Sequence, residues 1–247
     1  MLIGKIKNLL SYRKTFQRIC SSNGLNLNYK LNRRETPVLA DIFENREYAD
    51  HFPFYQKACI LDIGAHYGYF SLFASLNADP ESKILAFEPF PDNFSMMSRN
   101  IDDCGIRNVT GFNCALSDCE GRARIYEGMS VNNSLIEDFS MLSKDQKAVE
   151  VDTKTLEQVM NENHLDKVDF LKMDCEGSEY VILQNTPSTV FDKITTISME
   201  FHDMKSAEFN GDFLIKKLAG YGFQIVKYEY SRTTMGINYG KIIGTRI

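Results

Sequence analysis

Tryptophan is absent from this 247-residue chain, whose aromatic content rests on 17 Phe and 12 Tyr. Also missing is any apolar run near the roughly 20 residues that a membrane-spanning helix requires. The N-terminus has no apolar stretch followed by a small-residue cleavage site, so the expectation is a cytoplasmic rather than a secreted protein. The six cysteines (Cys20, Cys59, Cys104, Cys114, Cys119, Cys175) form no Cys-x-x-Cys pair. That argues against a zinc site of the usual spacing. Several lie in apolar runs, where a free thiol packs as a small hydrophobe.

Acidic residues are missing from the first 34 positions, which hold Lys5, Lys7, Arg13, Lys14, Arg18, Lys30, Arg33 and Arg34. The rest of the chain carries 20 basic against 33 acidic residues. A body this acidic repels phosphates, which argues against nucleic acid as a partner. The basic segment reads either as an arm for an anionic membrane surface or acidic partner, or as an amphipathic cap on the acidic body. Leu2, Ile6, Leu9, Leu10, Arg13, Phe16 and Ile19 form a mostly apolar helical stripe, which favours the cap. Residues 1–50 are therefore read as a basic helical extension and 51–247 as the main domain.

What is present beyond that point is alternation. Pro37 to Phe54 reads as a helix and a turn. Short apolar runs at Cys59–Ile63, Lys83–Phe87, Val109–Leu116, Val168–Met173 and Ile194–Phe201 read as strands. Helical stretches separate them, as in a mostly parallel sheet covered on both faces. Phe223–Tyr230 and Lys241–Ile247 have no helix between them and read as an antiparallel ending. Gly121–Glu127 and Ala148–Val151 suggest a small hairpin, and the polar stretch 128–147 between them reads as a flap over a site. A seven-stranded α/β sheet of Rossmann-like type is expected.

Ligands of such sheets bind beyond the carboxyl ends of the strands. Asp62-Ile-Gly64-Ala65-His66-Tyr-Gly68 is a strand end, a glycine turn and a helix start. Its glycines lie four apart, unlike the Gly-x-Gly-x-x-Gly of nicotinamide enzymes, and the acid before them suits a zwitterionic amino-acid tail better than a pyrophosphate. Glu88, before Pro89 at the next strand end, is placed to accept hydrogen bonds from ribose hydroxyls. Ser117 and Asp118 follow the third strand, where a polar group would face an adenine; Asp118 reads equally as a turn residue.

Lys172 and Asp174 share one face of their strand, as do Glu200 and His202 of theirs, because side chains alternate with a period of two. Glu176 and Glu179 bracket a helix N-terminus, and capping is the preferred reading of Glu179. Asp174, Glu176, Glu200 and His202 would also suit magnesium or manganese, although no dense metal motif requires one.

Five blocks together resemble the FkbM-type methyltransferases. They are Asp62-Ile-Gly-Ala-His-Tyr-Gly68, Phe87-Glu-Pro89, Asn113-x-Ala-Leu-Ser-Asp118, Lys172-x-Asp-x-Glu-Gly-x-Glu179 and Glu200-x-His202. The resemblance covers about residues 59–203 and departs at His66, where the family more usually has Asn. It implies the class I methyltransferase fold, S-adenosylmethionine as cofactor, and O-methylation of a hydroxyl on a sugar or glycosylated small molecule. Candidate cofactor contacts are Asp62, Gly64, Ala65, His66, Gly68, Glu88, Pro89, Ser117, Asp118 and Asp174. Asp174, Glu176, Glu200 and His202 fall by the acceptor. His202 is the first candidate for the base that removes the hydroxyl proton and Asp174 the second, with a purely structural histidine still open. A non-sugar acceptor, a nicotinamide oxidoreductase on a related fold, and a binding module without catalysis are the alternatives.

Overall fold

The structure, a computed structural model, describes residues 2–126, 148–203, 209–232 and 238–246. Its centre is strand β1 (Cys59–Ile63), flanked in parallel by β2 (Lys83–Phe87) and β7 (Val168–Met173). Ile60, Leu61 and Ile63 are almost completely buried, as befits a strand covered on both faces. Strand β3 (Val109–Phe112) pairs with β2, and β8 (Ile194–Asp203) pairs with β7, again in parallel. Strand β10 (Asn238–Thr245) then inserts antiparallel between β8 and β9 (Gln224–Arg232). The seven-stranded sheet runs β3-β2-β1-β7-β8-β10-β9, so the last strand in sequence is the reversed one. This is the expected Rossmann-like layout.

Helices cover both faces. On one side α6 (Leu156–Glu162), α7 (Ser178–Asn185) and α9 (Gly211–Gly220) bury Leu156, Tyr180, Leu183, Leu214 and Leu218 against the strands, with the short α8 (Ser188–Phe191) beside them. On the other side lie α3 (Thr36–Phe43), α4 (Tyr69–Asn77) and α5 (Pro91–Asp103), which contribute Leu39, Phe70, Phe73 and Met97. Phe16 and Ile19 of α1 (Leu2–Asn23) are buried in the same cluster, and α2 (Tyr29–Asn32) continues from it. The C-terminal end of the apolar stripe therefore docks on the body. The side chains of Leu2, Ile6, Leu9 and Leu10 lie outside the described residues. Among the described residues no helix is long and apolar enough to cross a membrane.

The helix and turn expected over Pro37 to Phe54 are present: the helix ends at Phe43, and Arg46 soon after has a left-handed φ of 54° that belongs to a turn. The chain then turns, and Tyr48 and Phe52 are buried without regular structure around them. Phe52 meets Phe54, Phe70, Phe73 and Phe170 with ring centroids 4.9 to 6.2 Å apart, pinning this turn to α4 and β7. The single strand expected over Val109–Leu116 is split at Asn113, whose amide turns back to donate to the carbonyls of Glu88 and Pro89. Its second half, β4 (Ala115–Leu116), joins a separate three-stranded sheet with β5 (Gly121–Tyr126) and β6 (Ala148–Lys154). The expected β5–β6 pairing is present and antiparallel. The flap read over 128–147 lies outside the described residues.

Candidate active site

Strand order reverses between β1 and β7, and a cavity of about 520 Å³ opens at the carboxyl ends of these strands and their neighbours. A volume of that order suits a cofactor or small substrate, for which about 300–1,000 Å³ is usual. The loop after β1 supplies Gly64, Ala65 and His66 to its wall. Gly64 has φ +78°, and a Cβ there would stand 1.8 Å from the carbonyl oxygen of Asp174. Only glycine allows the two strand ends to approach so closely. Gly68, at φ +78°, packs instead against Met97 of α5, where a Cβ would come within 2.7 Å of Cγ.

Glu88 ends β2, buried on the cavity wall. Its Oε2 accepts the backbone N–H of His66 at 2.7 Å, and its Oε1 accepts that of Phe90 at 2.9 Å. Burial raises its pKa to about 7, against the pull of those hydrogen bonds. Asn93 of α5 reaches the same carboxylate and also lines the cavity. Phe87, Cys114, Leu116 and Ile125 form an apolar wall beside it.

Lys172 of β7 is buried beneath the loop. Its ammonium donates to the Gly64 carbonyl at 2.7 Å and stands 3.0 Å from Asp62 and 3.9 Å from Asp174. Burial works against that charge, but Asp62 and then Asp174 outweigh it and hold the ammonium above its ordinary pKa. Asp62 itself is fully buried; its second oxygen accepts from the Ser71 hydroxyl at 2.7 Å. It braces the loop from below and is not part of the cavity wall.

After β7 the wall continues through Asp174, Cys175 and Glu176. Glu176 adopts a left-handed φ of 54°, a conformation that costs a non-glycine residue energy and that its surroundings must hold. Glu179 supplies the hold: its carboxylate accepts the N–H groups of Cys175 and Gly177 at 2.7 and 2.8 Å. Glu179 thus caps the loop rather than facing a ligand. Glu200 and His202 of β8 both face the cavity, as their spacing requires. Burial pushes the Glu200 carboxyl up to about 9, with Asp174 and Glu47 adding to it. Burial lowers His202 below its ordinary value, with Asp174 opposing, so the imidazole is neutral at neutral pH. Its Nδ1 lies 3.5 Å from Glu176 Oε2. Among the described residues no group of His, Cys, Asp and Glu is arranged to hold a metal ion.

Residues 62–225 match the Methyltransferase FkbM domain. The chain belongs to that family. Methyltransferase 1 of Beauveria bassiana is 30% identical over 204 residues, 75% of this chain and 79% of that protein. The 31-O-demethyl-FK506 methyltransferase FkbM of Streptomyces tacrolimicus is 27% identical, over 75% of this chain and 80% of its own length. In fold, the chain is similar to the N-terminal domain of EvdMO1, whose structure was determined in the presence of S-adenosylhomocysteine and D-fucose. The TM-score is 0.50 at 13% identity, over 85% of this chain and 83% of that one.

As an FkbM methyltransferase the chain depends on S-adenosylmethionine, and the cavity fits that cofactor. It offers a buried carboxylate at the end of β2, backbone of the glycine loop, and an apolar wall for a base. Of the residues singled out from sequence, Gly64, Ala65, His66, Glu88, Pro89, Asp174, Glu176, Glu200 and His202 meet on this wall. Asp62 and Gly68 support it from behind. Ser117 and Asp118 lie off it; the Ser117 hydroxyl donates to Asp118, which is exposed. Sequence reasoning missed Asp41, Glu47 and Tyr48 from the N-terminal segment, Asn93, Ile125 and Tyr239. The alternation around Ile125 was visible, but nothing local to the other positions marks them as facing a cavity.

Proposed function

We propose that this FkbM methyltransferase methylates a hydroxyl group of a small, carbohydrate-containing acceptor. The observation that carries the reading is His202, a buried imidazole held neutral on the cavity wall beside three carboxyl groups. Bound S-adenosylmethionine would supply an electrophilic methyl group to the acceptor oxygen and leave as S-adenosylhomocysteine. His202 takes the hydroxyl proton, and Glu176, its carboxyl pushed well above its ordinary value by burial, lies 3.5 Å from Nδ1 and orients the ring. Glu88 and the backbone of Gly64 to His66 hold the nucleoside and amino-acid parts of the cofactor. Asp174, on the cavity wall beside Gly64, would face the reacting end of the cofactor. The name of the Streptomyces tacrolimicus relative specifies an O-methyl product, which supports oxygen as the acceptor atom. The D-fucose present with the EvdMO1 domain points the same way for sugar.

Residues 51–247 are taken as the methyltransferase unit and 1–50 as an extension folded onto it. Six free thiols suit a reducing compartment, consistent with the cytoplasm. An acceptor screen by mass spectrometry, pairing S-adenosylmethionine with sugars, glycosides and matched amines, tests the reading. A gain of one methyl on oxygen of a sugar-bearing compound is expected. Methylation only of nitrogen, or only of acceptors without sugar, would overturn it.

A further inference from the structure

Tyr48 belongs to the turn before β1, well ahead of the residues that match the family domain. It is nevertheless buried on the wall of the cavity, with its ring edge-on to Phe70 at 5.1 Å. Its hydroxyl donates to Oδ2 of Asp174 at 3.3 Å, the same oxygen that faces the Lys172 ammonium. The Lys241 ammonium lies over the Tyr48 ring at 4.1 Å from its centroid, and that of Lys172 at 5.7 Å. Lys241 is fixed in turn by the carbonyl of Glu47, the residue before Tyr48.

A tyrosine that only filled space here would need no hydroxyl. This one places its polar atom on the carboxylate at the β1–β7 reversal. Burial, with Asp174 and Glu47 adding to it, pushes the phenol well above its ordinary pKa, so it stays a donor. A donor of fixed position leaves the carboxylate one favoured orientation, and a fixed dipole or charge interacts more strongly with a developing or bound charge than a freely rotating one. At 3.3 Å the contact is longer than the usual range of about 2.5–3.0 Å for an O–H···O bond.

We propose that Tyr48 is a positioning residue: it orients Asp174 toward the positive sulfonium of S-adenosylmethionine, so that the N-terminal segment completes the transfer site. The inference rests on the reading of Asp174 as a cofactor-facing residue. It separates two ligands of nearly one shape, because S-adenosylmethionine carries the sulfonium charge and S-adenosylhomocysteine does not.

Calorimetry with both ligands tests it on the full chain. Tyr48→Phe keeps the ring, its packing and its cations, and loses only the hydroxyl. Affinity for S-adenosylmethionine should fall about five- to tenfold, which lies within the range of one net hydrogen bond, while that for S-adenosylhomocysteine stays within about twofold. Asp174→Asn should lose the same preference for the charged ligand, and the double variant should lose no more than Asp174→Asn alone. A change in Tyr48→Phe that is equal for both ligands, or no change, overturns the proposal. Should Tyr48→Phe fold poorly, Asp174→Asn decides: undiminished preference for the charged ligand overturns the proposal as well. Failure of the unmutated protein to bind either ligand would instead count against the cofactor site itself.

Discussion

Glu88 Oε2 accepts the backbone N–H of His66 at 2.7 Å, so the acid at the end of β2 fastens the glycine loop that follows β1. With Oε1 on the N–H of Phe90, one carboxylate joins the loops that begin α4 and α5. Glu88 therefore shapes the cavity wall as well as lining it. Glu88→Ala is expected to weaken S-adenosylmethionine binding at least about tenfold and to lower the melting temperature. It strands two backbone donors, each costing about 1–3 kcal/mol if left unpaired. Calorimetry and a thermal melt check both effects, and an unchanged affinity would remove Glu88 from the cofactor site.

His202 is buried and neutral, and where general-base catalysis operates it contributes about 10²–10⁴-fold to rate. His202→Gln should slow methyl transfer within that range while leaving cofactor affinity intact. The comparison requires single-turnover rates alongside calorimetry. Persistent turnover would return His202 to a structural role, with its carbonyl simply accepting from Tyr180 at 2.7 Å.

The buried carboxyl groups make stability depend on pH in an unusual direction. Burial raises Glu88 and Glu179 to about 7 and Glu200 to about 9 from an ordinary 4.5. Folded chains thus hold protons that unfolded chains release, and stability falls with rising pH wherever the folded state binds more protons. Their contribution is complete below about pH 4.5 and is lost as pH climbs through about 7 and then about 9. The cofactor-free protein should melt lower at pH 9 than at pH 6, and Glu200→Gln should flatten the decline above pH 7. A melting temperature that rose across this window would contradict the assignment.

Removal of residues 1–34 distinguishes a cap from a tether. Phe16, Ile19 and Leu25 are buried in the cluster that also holds α3 and α4, and Asn32 accepts from the Tyr69 hydroxyl at 2.8 Å. The truncated chain is expected to melt several degrees lower or to aggregate, through loss of three buried apolar side chains worth about 1.5–3 kcal/mol each. A soluble product of unchanged melting temperature, with lost binding to anionic vesicles, would make the segment a membrane tether instead.

How much was legible in advance follows from how local each signal is. Strand β1, the Gly64 turn and Glu88 lie within 30 residues, and their order along the chain is the order of their chemistry. The alternation of apolar runs and helical stretches fixed the sheet, and a period of two correctly put Glu200 and His202 on one face. The same logic misjudged the run through Asn113, because an apolar pattern continues unchanged where a chain passes from one sheet into another.

The amino-acid sequence by itself determined the sheet, through periodicities that are properties of short stretches, and its five motif blocks carried the resemblance that implied the family and the cofactor. Tertiary structure alone decided which of those residues face the cavity. Asp62, two residues before Gly64, points beneath the loop to Lys172, and Ser117 and Asp118 fall outside the wall. It alone also brought Tyr48 to Asp174, a hydrogen bond between residues 126 apart. Such a pairing depends on Phe52 and its aromatic neighbours folding the N-terminal turn against β7, and no pattern within either segment encodes the meeting.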